Sequence, residues 1–208
     1  RRSSGGTVDA CRLALQSGIA VSLAGGTHHA FRNYGAGYCV FNDAAIAALA
    51  MQSETRAHRI LIVDCDVHQG DGTAAIFSDD PSVFTFSIHA ARNFPFHKAE
   101  SDLDVALPDF AEDEVYLSSL RQGLCYALSA AQPDLVIYLA GADPFEGDRL
   151  GRLSMTKGGL ARRDEMVFFM CRDMGLPVAA VMAGGYARDI EDTVDIHLNT
   201  VRIAAAFR

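Results

Sequence analysis

The stretch Arg59-Ile60-Leu61-Ile62-Val63-Asp64-Cys65-Asp66-Val67-His68-Gln69-Gly70-Asp71-Gly72 decides the reading of this chain. Arg59–Val63 is mostly apolar and β-branched, as a buried strand requires. Asp64, Asp66, His68 and Asp71 follow it directly. The first three alternate at spacing two, so an extended backbone sends all three side chains to one side. Two carboxylates and an imidazole there suit a divalent metal. The plainer alternative is an acidic turn with a surface histidine. An EF-hand loop starting at Asp64 needs Glu at its twelfth position, where Ala75 stands, and a helix in front. A phosphatase of the haloacid dehalogenase type also places D-x-D after an apolar strand, but wants a small hydroxyl or aliphatic residue where His68 stands and gives no role to His28 and His29.

The same arrangement recurs along the chain. Ile19–Ala24, Val83–Phe86, Leu135–Ala140 and Pro177–Ala183 also read as buried strands. Between them lie amphipathic stretches predicted to be helical. Asn42–Gln52 has Asn42 or Asp43 as N-cap, and Asp113–Ala131 carries Val115, Leu120, Leu124 and Leu128 at helical spacing. Leu160, Val167, Phe168 and Cys171 mark another helix, and Ile190, Val194, His197 and Val201 a last one. Ala90–Asp109 reads as one large loop. Strands alternating with helices predict an α/β fold with a mostly parallel sheet.

In such sheets ligands bind beyond the carboxyl ends of the strands. Here those ends carry His28 and His29, then Asp64 to Asp71, then Ser87-Ile88-His89, then Asp143, then Gly184-Gly185-Tyr186. Packing alone does not explain that clustering. Adjacent histidines can serve as base and electrostatic partner, although a single histidine is more often a satisfied core or surface residue. Asp143 precedes Pro144 and can be a mere turn former. Tyr186 can donate to a developing oxyanion, or be an aromatic at the rim.

Composition narrows the class. The 208 residues suit one domain with a substantial core, half of them hydrophobic and about a fifth charged. A net charge of −8 speaks against a nucleic-acid surface. No apolar run is long enough to span a bilayer, and no signal peptide is visible. Five scattered cysteines without a C-x-x-C pair make a disulfide framework or thiolate site the poorer reading, and a cytoplasmic setting the easier one.

The joint order HH, D-x-D-x-H-x-G-D-G, G-A-D and G-G-Y resembles the signature of the zinc-dependent histone deacetylase family, across essentially the whole chain. Its details are most similar to class IV and its bacterial relatives: Arg1-Arg2 before Gly5-Gly6-Thr7, Asn93-Phe94-Pro95-Phe96, and Glu146-Gly147-Asp148-Arg149-Leu150-Gly151. The resemblance implies a three-layer arginase/deacetylase-like fold. Arginases bind two manganese ions and lack the tandem histidine and Gly-Gly-Tyr, so they match less well. By similarity, Asp66, His68 and Asp143 hold Zn²⁺, which acidifies a water and polarises the substrate carbonyl. His29 is then the general base and later the acid, with His28 its electrostatic partner. Asp64 and Asp71 orient His28 and His29 respectively, and Tyr186 stabilises the oxyanion. Tyr38 and Phe94 match the walls of an acyl-lysine channel, and Gly37 lines it. Main-chain oxygens of Asp64, Asp66, His68, Ser87 and Ile88 match a structural potassium site, and Phe77, Asp80 and Val83 a second.

The activity implied is removal of acetyl or longer acyl groups from lysine or a similar amine, the partner being acylated lysine in a protein or an acylated small amine. The alternatives are deacetylation of small amines such as acetylpolyamines, or a non-catalytic metal-binding interaction protein. Family members carry a further N-terminal segment that nothing here matches. The expectation is therefore a single domain over residues 1–208 that holds the whole metal centre but not the whole substrate cleft.

Overall fold

A computed structural model describes residues 1–207 and shows strand and helix alternating along the chain. The order is α1 (Arg2–Ser17), β1 (Ile19–Ser22), α2 (Asp43–Ser53), β2 (Ile60–Asp64), α3 (Asp71–Phe77) and β3 (Val83–Ala90). It continues with β4 (Leu103–Leu107), α4 (Asp113–Ala131), β5 (Leu135–Ala140), α5 (Lys157–Asp173), β6 (Val178–Met182) and α6 (Ile190–Ala206). The strands form one sheet in the order β1-β6-β5-β2-β3-β4, and every neighbouring pair is parallel.

Period-two alternation sorts the strand residues into two cores. Ile60, Ile62, Leu135, Ile137, Ala179 and Val181 face α1 and α2, against Cys11, Ala14, Ala44, Ala47, Ala48 and Met51. Leu61, Val63, Val136, Tyr138 and Ala180 face the opposite layer, against Leu120 and Leu124 of α4 and Leu160, Val167 and Phe168 of α5. Both faces are covered, which is why the strands read as unbroken apolar runs. Each buried Leu, Ile or Val contributes roughly 1.5–3 kcal/mol relative to exposure. These are the three layers that the resemblance read from the sequence implies.

Several expectations need correction. The presumed loop Ala90–Asp109 contains β4, an edge strand whose short alternation is diluted by Asp102 and Asp104. Asp102 ties it to β3 by accepting from Thr85 N and Oγ1, both at 2.8 Å. β3 itself runs on to Ala90, so Ser87, Ile88 and His89 lie within the strand rather than beyond it. Helix α1 has no signal in its Ser- and Gly-rich start; burial of Thr7, Val8, Cys11 and Ala14 overrides weak propensity. On α4, Val115 is exposed while Leu120, Leu124 and Leu128 are buried. On α6, Ile190 and Val194 are exposed, and the buried face is Thr193, Ile196, Thr200 and Ala204. There the Thr200 hydroxyl donates to Asp164 Oδ2 at 2.6 Å, so a polar anchor sets the helix rotation. Among the described residues, no helix is long and apolar enough to cross a membrane.

Candidate active site

The carboxyl ends of β1, β2, β5 and β6 lead into the segments that carry the site. β2 and β5 are neighbours in register, with Asp64 opposite Leu139. Asp66 and His68 therefore leave one strand beside the segment that brings Asp143 from the other. Their backbone is no longer β-strand, since β2 stops at Asp64; the alternation read from the sequence continues as an irregular turn. Asp66 Oδ1 closes that turn by accepting from His68 N at 2.9 Å.

Asp66, His68 and Asp143 are all buried and offer one ligand atom each within 4.8 Å of one another. His68 Nδ1 lies 2.9 Å from Asp66 Oδ1 and 3.2 Å from Asp143 Oδ2. Tetrahedral ligands on bonds of about 2.0–2.1 Å stand roughly 3.3 Å apart, close to these separations. Asp143 Oδ2 is buried and receives no aligned hydrogen bond, so it has a lone pair to spare. Burial opposes a charge on His68, yet Asp143 and Asp66 raise its pKa to about 11. Burial and the Asp66 charge raise that of Asp143 as well. Two buried carboxylates thus hold a proton where a divalent cation would neutralise them, and the donor set fits such an ion.

His28 and His29 sit beside this cluster with ring centroids 4.1 Å apart. Nδ1 of His28 is 2.6 Å from Asp64 Oδ2, and Nδ1 of His29 is 2.6 Å from Asp71 Oδ1. Each carboxylate thereby favours Nδ1–H and leaves Nε2 for other work. The two imidazoles are driven apart in charge. For His28, burial is outweighed by Asp64 and Asp66, which raise it to about 9. For His29, burial and the charge on His28 win over Asp71 and lower it. The surroundings thus favour the charged form of His28 and the neutral form of His29.

A cavity of about 400 Å³ opens onto these groups, lined by His28, His29, Gly37, Tyr38, Cys39, Asp66, His68, Asn93, Phe94, Leu150, Gly184 and Tyr186. Phe94 packs edge-on against His29 at 4.8 Å. Tyr38 is 92% exposed and stands at the mouth. Gly37 has φ +49°, and a Cβ there would run into the His29 ring. Gly184 N donates to Asp66 Oδ2 at 2.8 Å, and a side chain at Gly184 would strike the Asp143 carboxylate. Burial and the nearby Asp66 and Asp143 push the Tyr186 phenol up, so it remains a donor. Ser87 lies opposite Asp64 in the β2–β3 register, which makes those two members of the first potassium match neighbours. In the second, Asp80 N donates to Phe77 O at 2.9 Å and Val83 N to Asp80 O at 3.2 Å.

Of the two N-cap candidates read from the sequence one caps the helix, and supporting residues that the sequence reading did not connect to the site emerge beside it. Asn42 is the N-cap of α2, accepting from Ala45 N at 3.0 Å. Asp43 is instead buried under the histidine loop, accepting from Thr27 N at 2.7 Å, Thr27 Oγ1 at 2.6 Å and Gly26 N at 3.2 Å. Two capping residues in succession, where a helix needs one, were the available signal. Asp148 Oδ2 accepts from Tyr186 N at 2.5 Å, and Asp148 Oδ1 accepts from Leu150 N and Gly151 N. Nothing in the sequence singled it out beyond its place in the Glu146–Gly151 match.

Fold and site together define an arginase/deacetylase-like α/β protein with a candidate metal centre. The profile described as Histone deacetylase domain matches residues 1–201. The chain is 54% identical over 193 residues to an uncharacterised protein of Picosynechococcus, covering 93% of this chain and 64% of that one. It is 34% identical over 202 residues to histone deacetylase 2 of Arabidopsis thaliana, covering 94% and 52% respectively. Among solved structures, the HDA15 HD domain superposes with TM-score 0.83 at 27% identity, over 98% of this chain and 62% of that one. An acetylpolyamine aminohydrolase from Burkholderia pseudomallei superposes with TM-score 0.84 over 99% and 62%. At 24% identity that last likeness concerns the fold. The chain belongs to the histone deacetylase family. It spans 64% and 52% of the lengths of the two curated relatives above.

Proposed function

We propose that this chain is the catalytic part of a zinc-dependent deacylase that hydrolyses an N-acyl amide, with acyl-lysine in a protein as substrate. The observation carrying this reading is the buried cluster of Asp66, His68 and Asp143, of which Asp66 and His68 line one cavity with His28, His29 and Tyr186. Zinc suits two carboxylates and an imidazole with an open position, where it would polarise the carbonyl and acidify water. His29, neutral and held by Asp71, takes a proton from the attacking water and returns it to the leaving amine. His28, cationic beside Asp64, stabilises the negative charge that develops next to it. Tyr186 donates its hydroxyl to the carbonyl oxygen as that oxygen gains charge. Phe94 and Tyr38 flank the acyl-bearing chain, and Gly37 leaves room for its amide.

Other parts of the proposal are less central to the chemistry. Main-chain oxygens of Asp64, Asp66, His68, Ser87 and Ile88 would bind a structural potassium ion. The class IV reading rests on the loops quoted for it in the sequence, which meet at the cavity, where Asn93 Nδ2 donates to Leu150 O at 2.7 Å. A cytoplasmic setting is in keeping with five unpaired cysteines.

The test is acetate release from an acetyl-lysine peptide and from an acetylated diamine, with and without a chelator. The expected result is release that chelation abolishes and zinc restores. Release from the diamine alone would favour the small-amine reading. A zinc-loaded, folded chain that cleaves neither would leave a metal-binding interaction protein.

A further inference from the structure

Arg163, on α5, is fully buried, and no step proposed above uses it. Its Nη1 donates to Gly141 O at 2.5 Å and to Cys65 O at 3.4 Å. Cys65 lies between Asp64 and Asp66, and Gly141 lies two residues before Asp143. One guanidinium thus spans the two main-chain segments that carry the candidate metal ligands. Both carbonyls sit past the ends of β2 and β5, where the sheet ladder no longer pairs them; buried carbonyls need a partner. The segments are also in close contact, since a Cβ at Gly141 would come within 2.7 Å of Asp66 Cα. Small changes in their separation are therefore passed to the ligands.

The arginine is itself fixed. Nε donates to Asp164 Oδ1 at 2.9 Å, and Nη2 lies 2.8 Å from the same oxygen. Asp164 in turn accepts from the Tyr138 hydroxyl at 2.5 Å and the Thr200 hydroxyl at 2.6 Å. Tyr138 belongs to β5 and Thr200 to α6, so the support comes from the sheet and both helices. The planar fork of arginine reaches two carbonyls and a carboxylate at once; lysine, a point donor, does not.

We propose that Arg163 is a positioning residue for the metal centre, setting the spacing of Asp66 and Asp143 through the carbonyls of Cys65 and Gly141. The proposal rests on the reading that those aspartates and His68 hold a divalent ion. The experiment measures zinc affinity by chelator competition, the visible spectrum of the cobalt-substituted chain, and thermal stability. Wild type, Asp143→Ala, Arg163→Lys and Val167→Ala are compared, the last a buried cavity control on the same helix. Arg163→Lys should weaken zinc binding roughly 10- to 100-fold, as loss of support around ligands does, and alter the cobalt spectrum. Val167→Ala should lower the melting temperature and change neither. Arg163→Lys with wild-type affinity and spectrum overturns the proposal. If Arg163→Lys does not fold, Thr200→Val, which loosens Asp164, is judged by the same two readouts and the same outcomes. A wild type that binds zinc no better than Asp143→Ala overturns the metal reading instead.

Discussion

Replacing Gly37 by alanine should disarm the site by displacing the proposed base, His29. The residue has φ +49°, a left-handed conformation that costs a side-chain-bearing residue roughly 1–2 kcal/mol. For a chain of this size that lowers the melting temperature by roughly 2–8 °C. The new Cβ would also stand 2.6 Å from His29 Cγ and 2.8 Å from His29 Cβ, where ordinary contact begins near 3.4 Å. It would overlap His29 Cδ2 more closely still, so the ring must retreat by about 1 Å, because repulsion rises steeply inside contact distance. It would leave its 2.6 Å partnership with Asp71 and its place against Phe94. Misplacement by about 1 Å costs roughly 10²-fold in turnover. Gly175→Ala is the control: φ is +68° there, and nothing lies within 4 Å of the added carbon. It should lose similar stability and keep full activity. The assay is steady-state deacetylation at matched zinc content, with melting curves alongside. Turnover of Gly37→Ala within about threefold of Gly175→Ala would refute the link between His29 placement and rate.

Tyr186→Phe should lower kcat by roughly 10²–10³, or about 3–4 kcal/mol, with little change in substrate binding; a loss below about tenfold rejects the oxyanion role. Because His29 must be neutral to act and its pKa is lowered, the acid limb of the rate profile should fall below the ordinary histidine value of about 6.5. A limb centred above about 7 would contradict that assignment, as would near-normal turnover in His29→Ala. His68 carries a proton when no metal is bound, so zinc uptake at pH 7 should release roughly one proton and weaken on acidification. Calorimetry in buffers of different ionisation enthalpy reads that number directly, and a value near zero would count against His68 as a ligand.

What the sequence revealed and what it hid follow from one distinction. The central strands and the residues just past them were legible because apolar runs end abruptly in His, Asp and Tyr at fixed spacing. Leu135–Ala140 and Asp113–Ala131 have in the structure the bounds read from the residues. Elements whose identity depends on partners were not legible. Helix α1 exists because α2 and the sheet cover it, and β4 because Phe86 to Ala90 offers it a ladder. The rotation of α6 was misread because a threonine, not its isoleucine and valine, faces a buried carboxylate. The supporting residues were hidden for the same reason. Asp43 and Arg163 lie far in sequence from the loops they hold, as Asp148 does from Tyr186, and no local spacing records such a bond.

The Asp43 carboxylate has one more consequence. Thr7 of α1 also donates to it, at 2.6 Å, so the first helix, the second helix and the histidine loop meet on one buried group. Asp66, His68 and Asp143 depend on other strands. Asp64 and Asp71 join the histidines to the ligand segment, but the histidine loop has this second anchor of its own, so proton transfer can be lost while metal capture is kept. Thr7→Val or Asp43→Asn should give a chain that titrates with zinc like wild type yet turns over poorly. Parallel loss of both properties would show that the two halves are coupled. If they separate, a full complement of metal is no certificate of a competent enzyme.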